Sequence, residues 1–283
     1  MNSPNKSAVE QDGNKKVDSI LDSITLSDGS ILRSAYFRSE NPAAKRTAVL
    51  LGGWGDTEWA SHPLAKELNR YLHVVIIESR EKHESILNAA TRNDLRRLAL
   101  DVVEITRHYS LVEAELAIYG YSWGSLIAAS VVAHGFVRPC LTVLCTPIER
   151  LVLPPLAQFL VPLAPIGLMP FLQPLLEYWV IRFKSDGPDA ALPALRALRN
   201  ANLYNWKAVG RANLSPKVAS VYSQLTGPVL VIFLDGDKFH SATEYERIRQ
   251  QTPTAKHVYL AYTLPDLPVR IAGEIRKMIE TVP

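Results

Sequence analysis

Ser122 stands between two glycines, in Gly120-Tyr121-Ser122-Trp123-Gly124, where an apolar run ends and a helix-like pattern begins. A serine hydroxyl is a weak nucleophile until a base takes its proton. The spacing G-x-S-x-G suits a sharp strand-to-helix turn that presents the hydroxyl in the open. In such a turn, side chains two residues to either side of the serine would collide, so both positions call for very small residues. The N-terminus of the following helix would favour negative charge developing nearby. The pentapeptide alone is a weak signal, because an ordinary βα turn also exposes a serine. What strengthens it is the order of elements around it.

Those elements read strand–strand–strand–helix–strand–helix–strand–helix–strand, then an insertion, then strand–helix–strand–helix. Residues 22–38 resemble a hairpin turning at Asp28-Gly29. Short apolar runs at 46–53, 73–79, 115–122, 140–147 and 227–237 read as buried strands, with a further strand at 257–262. Helical spacing of apolar residues covers 58–72, 92–110, 125–135, 241–252 and 268–282. Continuous apolar strands alternating with helices predict an α/β fold: a mostly parallel central sheet covered by helices on both faces. In such a sheet the loops at the carboxyl ends of the strands form the ligand crevice, and Ser122 falls at one of those ends. The expected division is a disordered polar tail at 1–20, a first part of the core at 21–147, an apolar helical insertion at 148–213, and a second part of the core at 214–283.

The chain has 283 residues, 47% hydrophobic and 21% charged, with a net charge of +3. These values fit a globular domain, and the charges are interspersed rather than gathered in the basic block that nucleic-acid binding would need. Cys140 and Cys145 lie five residues apart around an expected strand, and an odd offset sends them to opposite faces. That argues against a disulfide or a metal pair and for a reducing, cytoplasmic compartment. No metal and no cofactor is expected. The tail has no apolar core of the kind a secretory signal carries. From Leu151 to Leu176 the chain has no charge, long enough for a membrane span. Six prolines inside it favour several short apolar helices instead.

At this point the chain resembles the α/β-hydrolase superfamily, over roughly residues 24–283. "LLGGWGD" (50–56) is similar to the oxyanion loop after the third strand, although Gly52 stands where many members have histidine. "GYSWGS" (120–125) is similar to the elbow that carries the nucleophile. "VLVIFLDGDKF" (229–239) is similar to the strand and loop that present the acid. The insertion at 148–213 is similar to the cap that roofs the site. The resemblance implies Ser122 as nucleophile, Asp237 as acid, and the backbone amides of Trp54 and Trp123 as an oxyanion hole. Asp235 is the alternative acid, less well placed in the loop, and either aspartate of "DGD" could be simple turn chemistry.

The same resemblance exposes a departure. The family's histidine lies in the loop after the last strand, here "AYTLPDLPVR" (261–270), where Leu264 stands instead. Of seven histidines, His73 and His257 begin strands, and His108 and His134 close helices, which puts all four at the wrong end of the sheet. His62, His83 and His240 remain on the correct side. His240, three residues beyond Asp237 in the acid loop itself, is the candidate for a relocated base.

Two classes of function therefore stay open. One is an enzyme that hydrolyses or transfers an ester or thioester of a hydrophobic acyl or ring-bearing substrate through Ser122. The other is a non-hydrolytic or inactive relative that binds a lipophilic ligand under the cap. In either case Phe159, Met169, Phe171 and Trp179 of the insertion are the expected ligand-lining residues. An exposed part of the same apolar segment could contact a membrane surface peripherally.

Overall fold

The computed structural model describes residues 19–56, 58–150, 165, 167, 169–183, 188–199, 201–213, 221–237 and 239–282. Strand β1 (Ser19–Thr25) and strand β2 (Ile31–Phe37) form the hairpin. Gly29, at φ +81°, makes its turn, with the amide of Gly29 donating to Leu26 and that of Leu26 to Ser30. β1 begins at Ser19, so the last two residues of the stretch read as tail pair with β2.

The remaining strands are β3 (Thr47–Leu51), β4 (His73–Ile77), β5 (Leu116–Tyr121), β6 (Leu141–Cys145), β7 (Val229–Asp235) and β8 (Lys256–Ala261). Their order is β1-β2-β4-β3-β5-β6-β7-β8, and only β2 runs against the others. β3 and β6 are buried at every position, which is why they read as unbroken apolar runs. The edge strand β8 is exposed or half-buried throughout and is correspondingly mixed in sequence.

Helix α1 (Glu58–Asn69) follows β3, α2 (Leu95–His108) follows β4, and α3 (Trp123–Ala133) follows β5. Between β6 and β7 come α4 (Met169–Phe183), α5 (Pro188–Arg199) and α6 (Leu203–Asn213). α7 (Ala242–Gln251) and α8 (Leu267–Ile279) complete the chain. One face of the sheet packs on α1 and α8 through Leu64, Leu68, Ile271 and Ile275. The other packs on α2, α3 and α7 through Leu98, Val102, Ile127 and Ile248. α2 starts where Asp94 accepts the Arg97 amide at 3.0 Å, and it ends with Arg107 and His108 near the carbonyl end.

The helices between β6 and β7 carry a small core of their own, built from Val180, Ala191, Leu195 and Leu198 with Trp179 and Trp206 against it. α6 is tied to the sheet domain by two asparagines. Asn205 Nδ2 donates to the carbonyls of Lys82 (3.0 Å) and Ser85 (2.8 Å), and Asn213 Nδ2 to that of Asn93 (2.7 Å). Most of the proline-rich run at 151–176 lies outside the described residues; its last part opens α4, with Pro174 inside the helix. Among the described residues no helix is long and apolar enough to cross a membrane. Cys140 and Cys145 are free thiols.

A buried cation joins the hairpin to the parallel part of the sheet. Arg80, in the loop after β4, is fully buried, and its five N–H donors meet five acceptors. Nε and Nη2 reach the two oxygens of Asp101 (2.6 and 2.8 Å), and Nη2 also reaches Asp28 (2.6 Å). Nη1 reaches Asn93 (3.0 Å) and Ser30 (3.2 Å). Removing one partner of such a group strands an uncompensated charge, which typically costs about 3–5 kcal/mol. Asp101→Ala should therefore lower the urea midpoint of unfolding by an amount equivalent to about 3 kcal/mol or more. An unchanged midpoint would show that the network contributes nothing to stability.

Candidate active site

The turn at Ser122 is as tight as its glycines require. Ser122 sits at φ +50°, ψ −110°, a conformation that L residues adopt only under constraint. A Cβ on Gly120 would lie 2.3 Å from the Gly124 carbonyl oxygen, and one on Gly124 would lie 2.1 Å from that of Leu51. The turn is pinned from below. The Ser122 amide donates to the Cys145 carbonyl at 2.9 Å, and the Ser125 hydroxyl lies 2.7 Å from the Gly120 carbonyl and 2.9 Å from that of Cys145. α3 starts at Trp123, two residues earlier than its apolar spacing suggests, so no loop separates the serine from the helix. The amide of Trp123 is the first of that helix and has no acceptor within it.

The loop after β7 supplies the rest. His240 Nε2 lies 2.9 Å from Ser122 Oγ, and its Nδ1 lies 2.6 Å from Asp237 Oδ2. Asp237 is held in turn by the Phe239 amide, which donates to Oδ1 at 2.8 Å. Both Asp237 and His240 are buried, and the imidazole lies parallel to the ring of Tyr245. Ser241 caps α7 immediately afterwards by accepting the Glu244 amide, which fixes the backbone on the far side of the histidine. Gly236, at φ +87°, turns the chain between the two aspartates and leaves Asp235 exposed at the end of β7.

The other histidines lie elsewhere. His73 bonds Tyr36, Ser39 and Ala44 at the opposite end of the sheet. His134 closes α3 on the Ser130 carbonyl, His257 meets Thr252, and His108 is 4.0 Å from Asp22. His62 packs edge-on against Phe37, and His83 is exposed. Leu264 sits in a turn whose amide donates to Ala261.

The loop at residues 52–56 lies beside the elbow. Trp54 packs edge-to-face on Trp123 (5.4 Å between ring centroids) and on Trp206 of α6 (5.5 Å). Gly55 is at φ +70°, and a Cβ there would lie 2.4 Å from the Trp206 ring, so α6 rests directly on this loop. Asp56 Oδ2 accepts the Gly53 amide at 2.9 Å, while the buried ammonium of Lys82 donates to the Gly53 carbonyl. Burial pushes the Asp56 carboxyl above its ordinary value, opposed by the nearby Lys82 charge and the Gly53 amide. Burial, with the Asp237 charge second, raises the phenols of Tyr121 and Tyr262, so both stay protonated near neutral pH. Burial also holds the Cys145 thiol up at about 12, which leaves it inert beside the elbow.

Of the residues expected to line a ligand pocket, Phe171 and Trp179 are described with their side chains. Phe171 is 75% exposed on α4, in a stripe with Leu175 and Tyr178. Trp179 packs against the small core of α4 and α5. Met169 opens α4, its side chain outside the described set, and Phe159 lies outside the described residues. Lys82, Asp56 and Trp206 escaped the reading of the sequence. The signal for the first was the charged run "ESREK" (78–82), placed after a buried strand at the carboxyl end of the sheet.

Neither a family model nor a curated protein matches the sequence. Solved structures do. An esterase from Exiguobacterium antarcticum superposes with a TM-score of 0.74 at 13% identity, over 92% of this chain and 99% of that one. A thermophilic esterase from Thermogutta terrifontis gives 0.72 at 16% identity, over 93% and 98%. The enol-lactonase from Burkholderia xenovorans LB400 gives 0.70 at 16% identity, over 88% and 97%. The chain has the α/β-hydrolase fold.

The contact between Gly124 and β3 gives a direct test of the elbow. Gly124→Ala forces a methyl group into backbone, an overpacking that should cost about 3 kcal/mol. Thermal unfolding should show a clear drop in midpoint. An alanine variant as stable as the parent would mean that the helix does not approach β3 this closely.

Proposed function

We propose that the protein is a serine hydrolase that acts on an ester or thioester of a hydrophobic acyl group. The observation that carries this reading is the unbroken chain Ser122 Oγ–His240 Nε2 (2.9 Å) and His240 Nδ1–Asp237 Oδ2 (2.6 Å). It supplies a nucleophile, a base within hydrogen-bond reach, and a carboxylate that orients the base.

In this reading Ser122 Oγ attacks the substrate carbonyl carbon while Nε2 accepts its proton. The carbonyl oxygen becomes an oxyanion facing the amides of Trp54 and Trp123. Asp237 stabilises the imidazolium through Nδ1–H, which also fixes the tautomer that leaves Nε2 free to accept. The imidazolium then protonates the departing alkoxide or thiolate, and the carbonyl re-forms as an acyl-serine. A water that gives its proton to Nε2 cleaves this ester, releases the acid and restores the serine. Tyr245 and the cap of α7 keep the imidazole in place through the cycle.

An apolar acyl group suits the aromatic lining that Trp54 and Trp206 bring to the elbow under α6. Two of the structural neighbours are named esterases and one an enol-lactonase, which agrees with carbonyl–oxygen cleavage. The alternative of a ligand carrier would leave the spacing of Ser122, His240 and Asp237 without a use.

A fluorophosphonate probe should label wild-type protein at Ser122, and p-nitrophenyl esters of short and medium acyl chains should be turned over. Ser122→Ala and His240→Ala should abolish labelling and lower kcat by about 10⁴-fold or more. Asp237→Asn should lower it by about 10⁴-fold through the wrong tautomer. Folded wild-type protein that resists the probe, or a Ser122→Ala protein with undiminished turnover, would refute the reading.

A further inference from the structure

The loop Gly52-Gly53-Trp54-Gly55 holds three glycines in four residues, so its own backbone does little to fix how each peptide faces. The Gly53–Trp54 peptide is nevertheless gripped by side chains. Lys82, 3% exposed, reaches from the loop after the neighbouring strand β4 and donates its ammonium hydrogen to the Gly53 carbonyl. Its remaining charge faces Glu81, at 3.3 Å, and Asp56. Asp56 in turn takes the Gly53 N–H at 2.9 Å. Lys82 and Asp56 therefore hold Gly53 by both of its backbone polar groups.

The consequence follows from peptide geometry. The chain has no cis peptide among its described residues, and across a trans peptide the C=O of one residue and the N–H of the next point in opposite directions. A Gly53 carbonyl drawn down to Lys82 directs the Trp54 N–H away from Lys82. Rotating that peptide would set the Trp54 N–H against a buried ammonium and leave the ammonium short of an acceptor, which a low-dielectric site penalises strongly. In the sheet β3 lies between β4 and β5, so its loop has Lys82 on the β4 side and the elbow on the β5 side, where Gly124 lies against the Leu51 and Gly52 carbonyls and Trp54 meets Trp123.

We propose that Lys82, assisted by Asp56, is a positioning residue that sets the Gly53–Trp54 peptide so that the Trp54 amide is held ready as an oxyanion donor for Ser122. This rests on the serine-hydrolase reading of Ser122. Lys82 touches no reacting atom and acts through the backbone of Gly53. Its own carbonyl accepts from Asn205, so the loop that carries it is the one on which α6 is anchored.

Lys82→Met keeps the length of the side chain and removes its donor. Loss of one oxyanion donor costs about 10²–10³-fold in kcat, so kcat on a p-nitrophenyl ester should fall by about 100-fold while KM stays within about twofold. Affinity for a trifluoromethyl ketone, which mimics the tetrahedral oxyanion, should fall by the same factor as kcat/KM. The pH profile of kcat/KM, set by the base, should not move. Because Lys82→Met leaves Asp56 and Glu81 without their cation, a second variant, Lys82→Met/Asp56→Asn/Glu81→Gln, removes the charges together and should show the same losses. In wild-type protein labelled with ¹⁵N-tryptophan, ketone binding should shift the Trp54 backbone amide.

Three results would overturn the assignment. They are a folded variant whose kcat stays within threefold of wild type, a loss confined to KM or to the folded fraction, or a Trp54 amide that does not respond to the ketone. Fluorophosphonate labelling of wild type separates the two ideas. Labelled wild type with a fully active Lys82→Met protein removes only the role of Lys82, whereas unlabelled wild type removes the hydrolase reading on which it rests.

Discussion

The whole site depends on one contact, the 2.9 Å between Ser122 Oγ and His240 Nε2, made between residues 118 apart in the chain. Ser122 ends β5 and His240 follows β7, with β6 between them. Two inter-strand spacings are about 10 Å, so a histidine can span the gap only if its loop folds back over β6. Backbone bonds at the carboxyl ends of the strands set this register. The Ser122 amide is tied to Cys145 on β6, and the Thr146 amide to Ile232 on β7. Thr146, at φ +44°, shares the left-handed bend of Ser122, so the chain turns away sharply after both central strands. A slip of one residue in β5, β6 or β7 would separate the hydroxyl from the imidazole.

Asp237 and His240 share one loop, and in the serine-hydrolase reading that arrangement answers the departure at Leu264. An acid after one strand and a histidine after the next would need two loops kept in register. Here Asp237 and His240 are three residues apart, braced by the Phe239 amide on one side and the start of α7 on the other. The loop after β8 carries Tyr262 and Leu264 in an ordinary turn. What the arrangement gives up is distance from the helix that follows. His240 sits one residue before the N-cap of α7, with the buried Glu244 in the first turn of that helix.

Local patterns carried the sheet and the elbow. Five-residue apolar runs such as Thr47–Leu51 and Leu141–Cys145 have no use except in strands covered on both faces, and Gly120 and Gly124 have no substitute where a Cβ would enter backbone. Direction along parallel strands narrowed seven histidines to His62, His83 and His240, and the place of His240 three residues beyond Asp237 made it the candidate. Pairings between loops were not legible. Residues 78–82 look like a solvated charged turn, yet Arg80 and Lys82 are buried because acceptors from Asp28, Asp101 and Gly53 converge on them. Nothing local distinguishes a paired buried cation from a free exposed one. The orientation of Phe171 was likewise not legible. On a helix this rich in apolar residues, composition does not say which of them are exposed, and Phe171, Leu175 and Tyr178 are.

In the serine-hydrolase reading His240 is held between Ser122 and Asp237 as a single tautomer, with Nδ1 protonated and Nε2 ready to accept. ¹⁵N nuclear magnetic resonance of protein labelled at histidine, with His240→Gln to assign the signal, reads this directly. The account predicts a protonated Nδ1 whose hydrogen is strongly deshielded and protected from solvent exchange, together with an unprotonated Nε2. A His240 signal that averages both tautomers and exchanges freely with water, as an exposed loop histidine does, would contradict it.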